Sequence, residues 1–277
     1  MTSEKKKFLF KFYYIGSGKF YGSQRQLNVP TIESYLINAL IKKDYINGVN
    51  ESEFETASRT DKYVSARGAT FSVITNKDPI LMEINSELPY KIGIWAYTGV
   101  PLDFSSRYNA LYRYYKYILP GSGNSVNIDL IKRACKELEG EHDFKNFAKK
   151  ENDKVNTIRT LNFASVNIMD DFLIFCFKSK SFLRQQIRRM VKKLTEVAIG
   201  KINYNEFLSL LDTANYVSYQ PANPVGLILW DIVYEKDIQF EIDQNSSKRM
   251  MSYFDHMENK NTLKKMLFHV LQHDNIS

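Results

Sequence analysis

Along this chain the spacing of apolar residues switches repeatedly between the alternation of a strand and the wider repeat of a helix, which restricts the fold to one that interleaves both. Phe8 to Ile15 is aromatic and β-branched, broken only by Lys11, and predicts a strand. Ile32, Tyr35, Leu36, Ala39 and Leu40 then fall on one helical face behind Thr31 as N-cap, with an end expected before Asn47-Gly48. Gly68 to Ile74, Ile92 to Tyr97 and Tyr112 to Leu119 read as strands, the first two joined by a polar connection with two prolines. Helical spacing returns at Ile128, Ile131, Ala134, Cys135 and Leu138 and is stopped by Gly140. Val166 to Ile168 and Phe172 to Phe177, around Asp170-Asp171, predict a hairpin.

The strongest local pattern is a helix from about Phe182 to Ile199. Ile187, Met190, Val191, Leu194, Val197 and Ala198 line one face, and Gly200 closes it. Its other face carries Arg184, Arg188 and Lys192 at helical spacing, with Arg189 and Lys193 alongside, which is either a solvated face or a track for phosphates. A short helix from Tyr204 follows, with Asn203 and Glu206 at capping-box spacing, and then a strand from Leu227 to Tyr234. The last forty residues are polar until Leu263, Met266, Leu267, Val270 and Leu271 predict one more amphipathic helix. The resulting expectation is an α+β architecture in two similar halves, residues 1–105 and 106–236, with a C-terminal extension over 237–277.

Composition narrows the function. With 277 residues, 44% hydrophobic and 25% charged, the chain can bury a substantial core but has no room for a string of modules. No apolar run approaches the length of a membrane span, and the N-terminus, Met1 to Lys7, carries three lysines but no seven-residue apolar stretch followed by small residues, as a secretory signal would have, so a cytoplasmic protein is expected. Two cysteines are too few for a disulfide framework, and Cys135 and Cys176 sit inside apolar patterns. The formal charge of +7 favours a polyanionic partner without identifying it. Gly16-Ser17-Gly18-Lys19 lacks the first glycine and the Ser or Thr of a phosphate loop, since Tyr13 and Phe20 stand there. No GxGxxG opens a helix, and His142, His256, His269 and His273 have no zinc-ligand spacing. Catalysis is therefore expected to use carboxylates, tyrosines and arginines, with no metal and no cofactor.

One segment draws these types together. Residues 57 to 68 read ASRTDKYVSARG and place Asp61 between Arg59 and Lys62 just before a strand. Flanking cations favour an ionised carboxylate, suited to a nucleophile or an electrostatic stabiliser, although a surface ion-pair cluster would look the same. The segment resembles the signature of the TruA family of tRNA pseudouridine synthases, Gly-Arg-Thr-Asp, a small residue, then Gly-Val; Arg59, Thr60, Asp61 and Val64 match. Further stretches resemble the same family in order: YGSQRQ at 21–26, FSSRYNALYRYYKYIL at 104–119, GEHDFKNF at 140–147, FLRQQIRRMVKKLTEVAIG at 182–200 and GLILWDIVY at 226–234. Ser58, Lys62-Tyr63, Ser65 and Ser23 depart from it, standing for a glycine, a small residue with glycine, a frequent histidine and a frequent tryptophan.

The resemblance implies two ferredoxin-like halves sharing an extended antiparallel sheet, helices on one face, a basic cleft between the halves, and a homodimer. It implies tRNA as substrate and uridines of the anticodon stem-loop as targets. Asp61 then corresponds to the catalytic aspartate, Arg59 to an arginine that displaces the target nucleotide, and Arg188 to the arginine that pairs with the carboxylate. Tyr115, eight residues after Arg107, corresponds to the active-site tyrosine, and Leu227 to an apolar residue of the base pocket. Arg25, Arg107, Arg184, Lys192 and Lys193 are candidates for phosphate contacts. Two rival readings stay open: a non-catalytic RNA-binding or RNA-folding protein of the same fold, and a synthase for another RNA.

Overall fold

A computed structural model describes residues 4–121, 126–150, 155–214 and 216–273. The expected first strand is β1 (Lys6–Tyr14), and its alternation decides how the first half packs. Phe8, Phe10, Phe12 and Tyr14 share one face; Phe10 stacks on Phe71 at 4.9 Å between centroids and Phe12 meets the same ring edge-on at 5.5 Å. β1 lies between β3 (Ser65–Thr75) and β4 (Ile92–Val100), antiparallel to both. Two short strands trim this half: β2 (Glu55–Thr56) on β3, and β10 (Glu241–Ile242), from the C-terminal extension, on the outer edge of β4.

The second half repeats the logic with β5 (Tyr112–Pro120), β6 (Gly140–Asp143), β7 (Ile158–Met169), β8 (Phe172–Ser179) and β9 (Leu227–Val233). The hairpin turn at Asp170-Asp171 is as expected, with Asp170 in the left-handed region (φ 52°) that two-residue turns require. The ten strands form one sheet in the order β10-β4-β1-β3-β9-β5-β8-β7-β6, with β2 off this path. All neighbours are antiparallel except where the halves join. There β3 and β9 run parallel, and their ladder holds only Ser65 opposite Ile228 and Ala66 opposite Leu229.

Among the described residues six α-helices accompany the sheet. In α1 (Ile32–Lys42) the Thr31 side chain accepts from the Ser34 amide and Ser34 returns the bond to the Thr31 amide, a capping box of the kind that stabilises a helix start by about 1 kcal/mol. α5 (Tyr204–Ser209) starts on the expected Asn203 and Glu206 box. α2 (Leu81–Asn85) occupies the connection read as polar; Leu81 and Ile84 are buried, and the Asn85 amide pairs with both backbone groups of Ile94. α3 (Ile128–Glu137) ends where predicted, and Gly140 (φ +100°) both closes it and opens β6.

Two helices differ from expectation. α4 (Gln186–Ala198) starts four residues later than Phe182, because Gln185 is left-handed (φ 61°) and the Gln186 side chain accepts from the Leu183 amide. α6 (Gln244–His273) is one helix of 30 residues where apolar spacing marked only its last turns. Its first part is held by a few specific contacts: Ser246 to Asn85, Arg249 to the Leu88 carbonyl, and Met250 packed with Tyr13, Trp95 and Ala96 in a small cluster apart from the main core. Tyr13 alternates with Phe12 and Tyr14, so this cluster lies on the other face of the sheet. The stripe from Leu263 to Leu271 is exposed. No helix among the described residues is long and apolar enough to cross a membrane.

Burial raises the pKa of Tyr14, Tyr219 and Tyr234 above the ordinary 10.0. The unfolded chain then releases these protons first, so the stability they contribute is complete below pH 10 and falls as pH rises beyond it. Urea midpoints should be flat between pH 7 and 9 in respect of these groups and drop above pH 10, the drop shrinking in Tyr234→Phe.

Candidate active site

The segment bearing Asp61 is the loop between β2 and β3, and contacts from both halves fix it. Ser23, buried at the position of the family's frequent tryptophan, bonds both sides of Thr60: its amide donates to the Thr60 carbonyl (3.1 Å), and its hydroxyl accepts from the Thr60 amide (2.8 Å). The Thr60 hydroxyl meets that of Tyr14 at 2.7 Å. Ser65 accepts from the Gly16 amide at 3.1 Å. Gly16 has to be glycine, because a Cβ there would sit 2.2 Å from the Tyr63 carbonyl oxygen.

Into this loop the second half sends three side chains. Arg188, on the first turn of α4, donates from Nη1 to Asp61 Oδ2 at 2.7 Å and from Nε to the Ala222 carbonyl at 2.8 Å. The arginine side chain is 10% exposed and the aspartate 35%, so the guanidinium is locked while the carboxylate still reaches solvent. A charge-assisted bond of this length orients the carboxylate. Tyr115, on β5, is buried, meets Ser58 Oγ at 3.0 Å and lies edge-on to Phe182 at 5.3 Å. Its phenol is shifted up, first by burial and also by the Asp61 charge, so it stays protonated at neutral pH.

The third side chain, Arg113, escaped the sequence reading. It is buried, and its guanidinium donates to the carbonyls of Ala57 (2.8 Å), Arg107 (2.6 Å), Lys180 (2.6 Å) and Ala110 (3.4 Å), tying the Asp61 loop to the second half. Burial lowers its pKa. The available signal was parity: Arg113 shares the inward face of an alternating strand with Tyr115 and Tyr117.

The other anticipated residues are more scattered. Leu227 is buried at the start of β9, opposite Tyr117, behind Gly226, whose Cβ would lie 2.4 Å from the Ile118 carbonyl. Arg59 is exposed, with no partner among the described residues. Arg25 and Arg107 are also exposed; the Arg25 amide donates to Glu33 and the Arg107 guanidinium lies over Tyr108. The expected cationic stripe does not form a single row. Arg184 precedes α4, Arg189 is buried against Tyr219, and Lys192 and Lys193 both pair with Glu196, at 3.4 and 2.8 Å. Among the described residues no three His, Cys, Asp or Glu side chains gather closely enough to hold a metal.

A profile of the tRNA pseudouridine synthase family matches residues 134–235. The chain is 34% identical over 247 residues to tRNA pseudouridine synthase A of Methanothermobacter thermautotrophicus, covering 89% of this chain and 88% of that protein. It is 34% identical to the protein of that name from Archaeoglobus fulgidus, covering 89% and 90%, and 36% identical to that from Pyrococcus furiosus, covering 86% and 87%. Sheet, helices and similarity along nearly the whole chain agree: it belongs to the tRNA pseudouridine synthase family.

Tyr63 stands where the family signature has glycine, and its φ of 71° is the conformation that favours glycine. Tyr63→Gly is expected to keep stability within about 1 kcal/mol despite losing a ring, whereas Tyr63→Val should lose a further 1–2 kcal/mol or so in urea titrations. Arg113→Ala strands several carbonyls and should cost about 3 kcal/mol or more by the same measurement.

Proposed function

We propose that this chain isomerises uridine to pseudouridine in the anticodon stem-loop of tRNA, with Asp61 as the catalytic carboxylate. The observation that carries the proposal is the 2.7 Å pair between Asp61 and Arg188, in a family whose relatives bear the name tRNA pseudouridine synthase A. In the reaction the N1–C1′ bond breaks, the uracil turns, a C5–C1′ bond forms, C5 loses its proton and N1 gains one. No redox equivalent and no nucleotide hydrolysis enter that balance. Asp61 acts either by attacking C1′ or by removing the C2′ proton, and both routes need one oriented carboxylate, which Arg188 supports.

The remaining assignments follow from the same reading. The reacting atoms are not accessible inside a base stack, so the target nucleotide is extruded, and exposed Arg59 is suited to fill the gap it leaves. Tyr115 holds the freed uracil, and its protonated phenol is available for proton movement at C5. Leu227 provides an apolar wall of the base pocket. Arg25, Arg107, Arg184 and Lys192 follow phosphates, Lys192 while sharing Glu196. The protein works as a homodimer in the cytoplasm.

Tritium release from tRNA labelled at uridine C5 tests the central claim. Asp61→Asn should abolish release while tRNA affinity stays within a few-fold, because phosphate contacts supply most of the binding. Near-normal release would remove Asp61 from the mechanism. Binding without product by the wild-type protein would point to a non-catalytic RNA-binding protein, and product mapped outside the anticodon stem-loop to another target.

A further inference from the structure

The Gly16-Ser17-Gly18-Lys19 turn and the C-terminal helix have no part in the chemistry above, yet they line one groove. The loop leans at one end on the catalytic segment, with Gly16 against the Tyr63 backbone. At the other end Phe20 is buried edge-on to Tyr35 at 5.5 Å, which leaves Lys19 exposed. Beyond Lys19 a groove of about 680 Å³ opens between this loop, the turn at 89–91 and α6. Its ionisable lining, apart from tyrosines, is Lys19, Lys91, Arg249 and His256, with no carboxylate.

Aromatic surface accompanies the charge. Tyr90 lies over the α6 row formed by Arg249 and Tyr253, one helical turn apart: the guanidinium is 4.8 Å from its centroid and the Tyr253 ring 6.3 Å away at 22°. Tyr90 is nevertheless 66% exposed. The Tyr253 hydroxyl and the nearby loop's Ser17 hydroxyl are buried with no hydrogen-bond partner among the described residues. Three cations, with no carboxylate in the lining, beside an open ring suit a phosphodiester whose base stacks, and the volume suits one nucleotide.

We propose that this groove is a second RNA subsite, holding one nucleotide of the substrate that flanks the target uridine, with the base on Tyr90 and its phosphates on Lys19 and Lys91. The proposal rests on the tRNA reading of the reaction centre and deepens it. It also gives α6 a role: the helix supplies the far wall of a substrate groove that would otherwise be open.

The test uses full-length protein and an unmodified tRNA transcript, with binding and tritium release measured side by side. Tyr90→Ala should weaken binding about tenfold or more, and Tyr90→Phe should restore it, because the ring and not the hydroxyl is used. Lys19→Ala with Lys91→Ala should reduce the slope of log Kd against log salt by about 2. In Tyr90→Ala and in the double lysine variant KM should rise while kcat holds, since neither touches Asp61, Arg188 or Tyr115, and in Tyr90→Phe both should stay near the wild-type values. Wild-type release with unchanged affinity, salt slope and KM in these variants would overturn the subsite, and so would uridine monophosphate binding in the groove while RNA affinity stays unmoved. Absence of product from the wild type, with the binding losses intact, would instead overturn the catalytic reading and leave the groove standing.

Discussion

The site depends on the seam between β3 and β9. A parallel ladder with only two register pairs is a weak way to join two halves, yet the aspartate comes from one side of it and its arginine from the other. Other contacts make the joint firm. Lys11 on β1 passes over β3 to Asp231 on β9 at 2.6 Å, just where Gly68 has no side chain to block it. Arg67 sits between Trp95 and Trp230, and Lys116 caps Trp230 at 3.5 Å. Tyr234 bonds Thr70 at 2.6 Å in the interior. A partly exposed ion pair such as Lys11–Asp231 contributes little alone; the value of these contacts is that together they fix one relative placement of the halves.

Placement matters because the reaction asks for orientation more than for unusual reactivity. Arg188 holds one oxygen of Asp61, and the arginine is itself held by the Ala222 carbonyl, so the carboxylate inherits its position from α4. Ser23 and Tyr14 hold Thr60, and Arg113 holds the Ala57 carbonyl, in the segment just before that residue. The loop is therefore determined from four directions, which is how Tyr63 is kept in a backbone region tyrosine rarely occupies.

Elements whose apolar residues repeat with a clean period were readable from the sequence: β1, β4, β5, the β7–β8 hairpin, α1 and α3, and α5 through its capping box. Short pieces were not. β2 and β10 have two residues each, too few for alternation to register, and α2 is a single turn. The first half of α6 was invisible because Ser246, Arg249 and Met250 hold it by individual contacts instead of a stripe. In the site, Asp61, Tyr115 and Arg188 were legible through their motifs, and the structure brings them together. Arg113 was not, since its partners are backbone carbonyls that leave no trace in side-chain identity. Nor was the split of the cationic stripe, which turns on one left-handed residue, Gln185, and one carboxylate, Glu196.

The seam also sets an order of events during synthesis. Ser65 and Ile228 are far apart in the chain, and closing so long a loop is slow compared with forming hairpins such as β7–β8. A chain still emerging from the ribosome can pair β1 with β3 and β4, but the seam that sets Asp61 against Arg188 forms only once β9 has been made and docked. An incomplete product of translation therefore carries Asp61 without the framework that aims it.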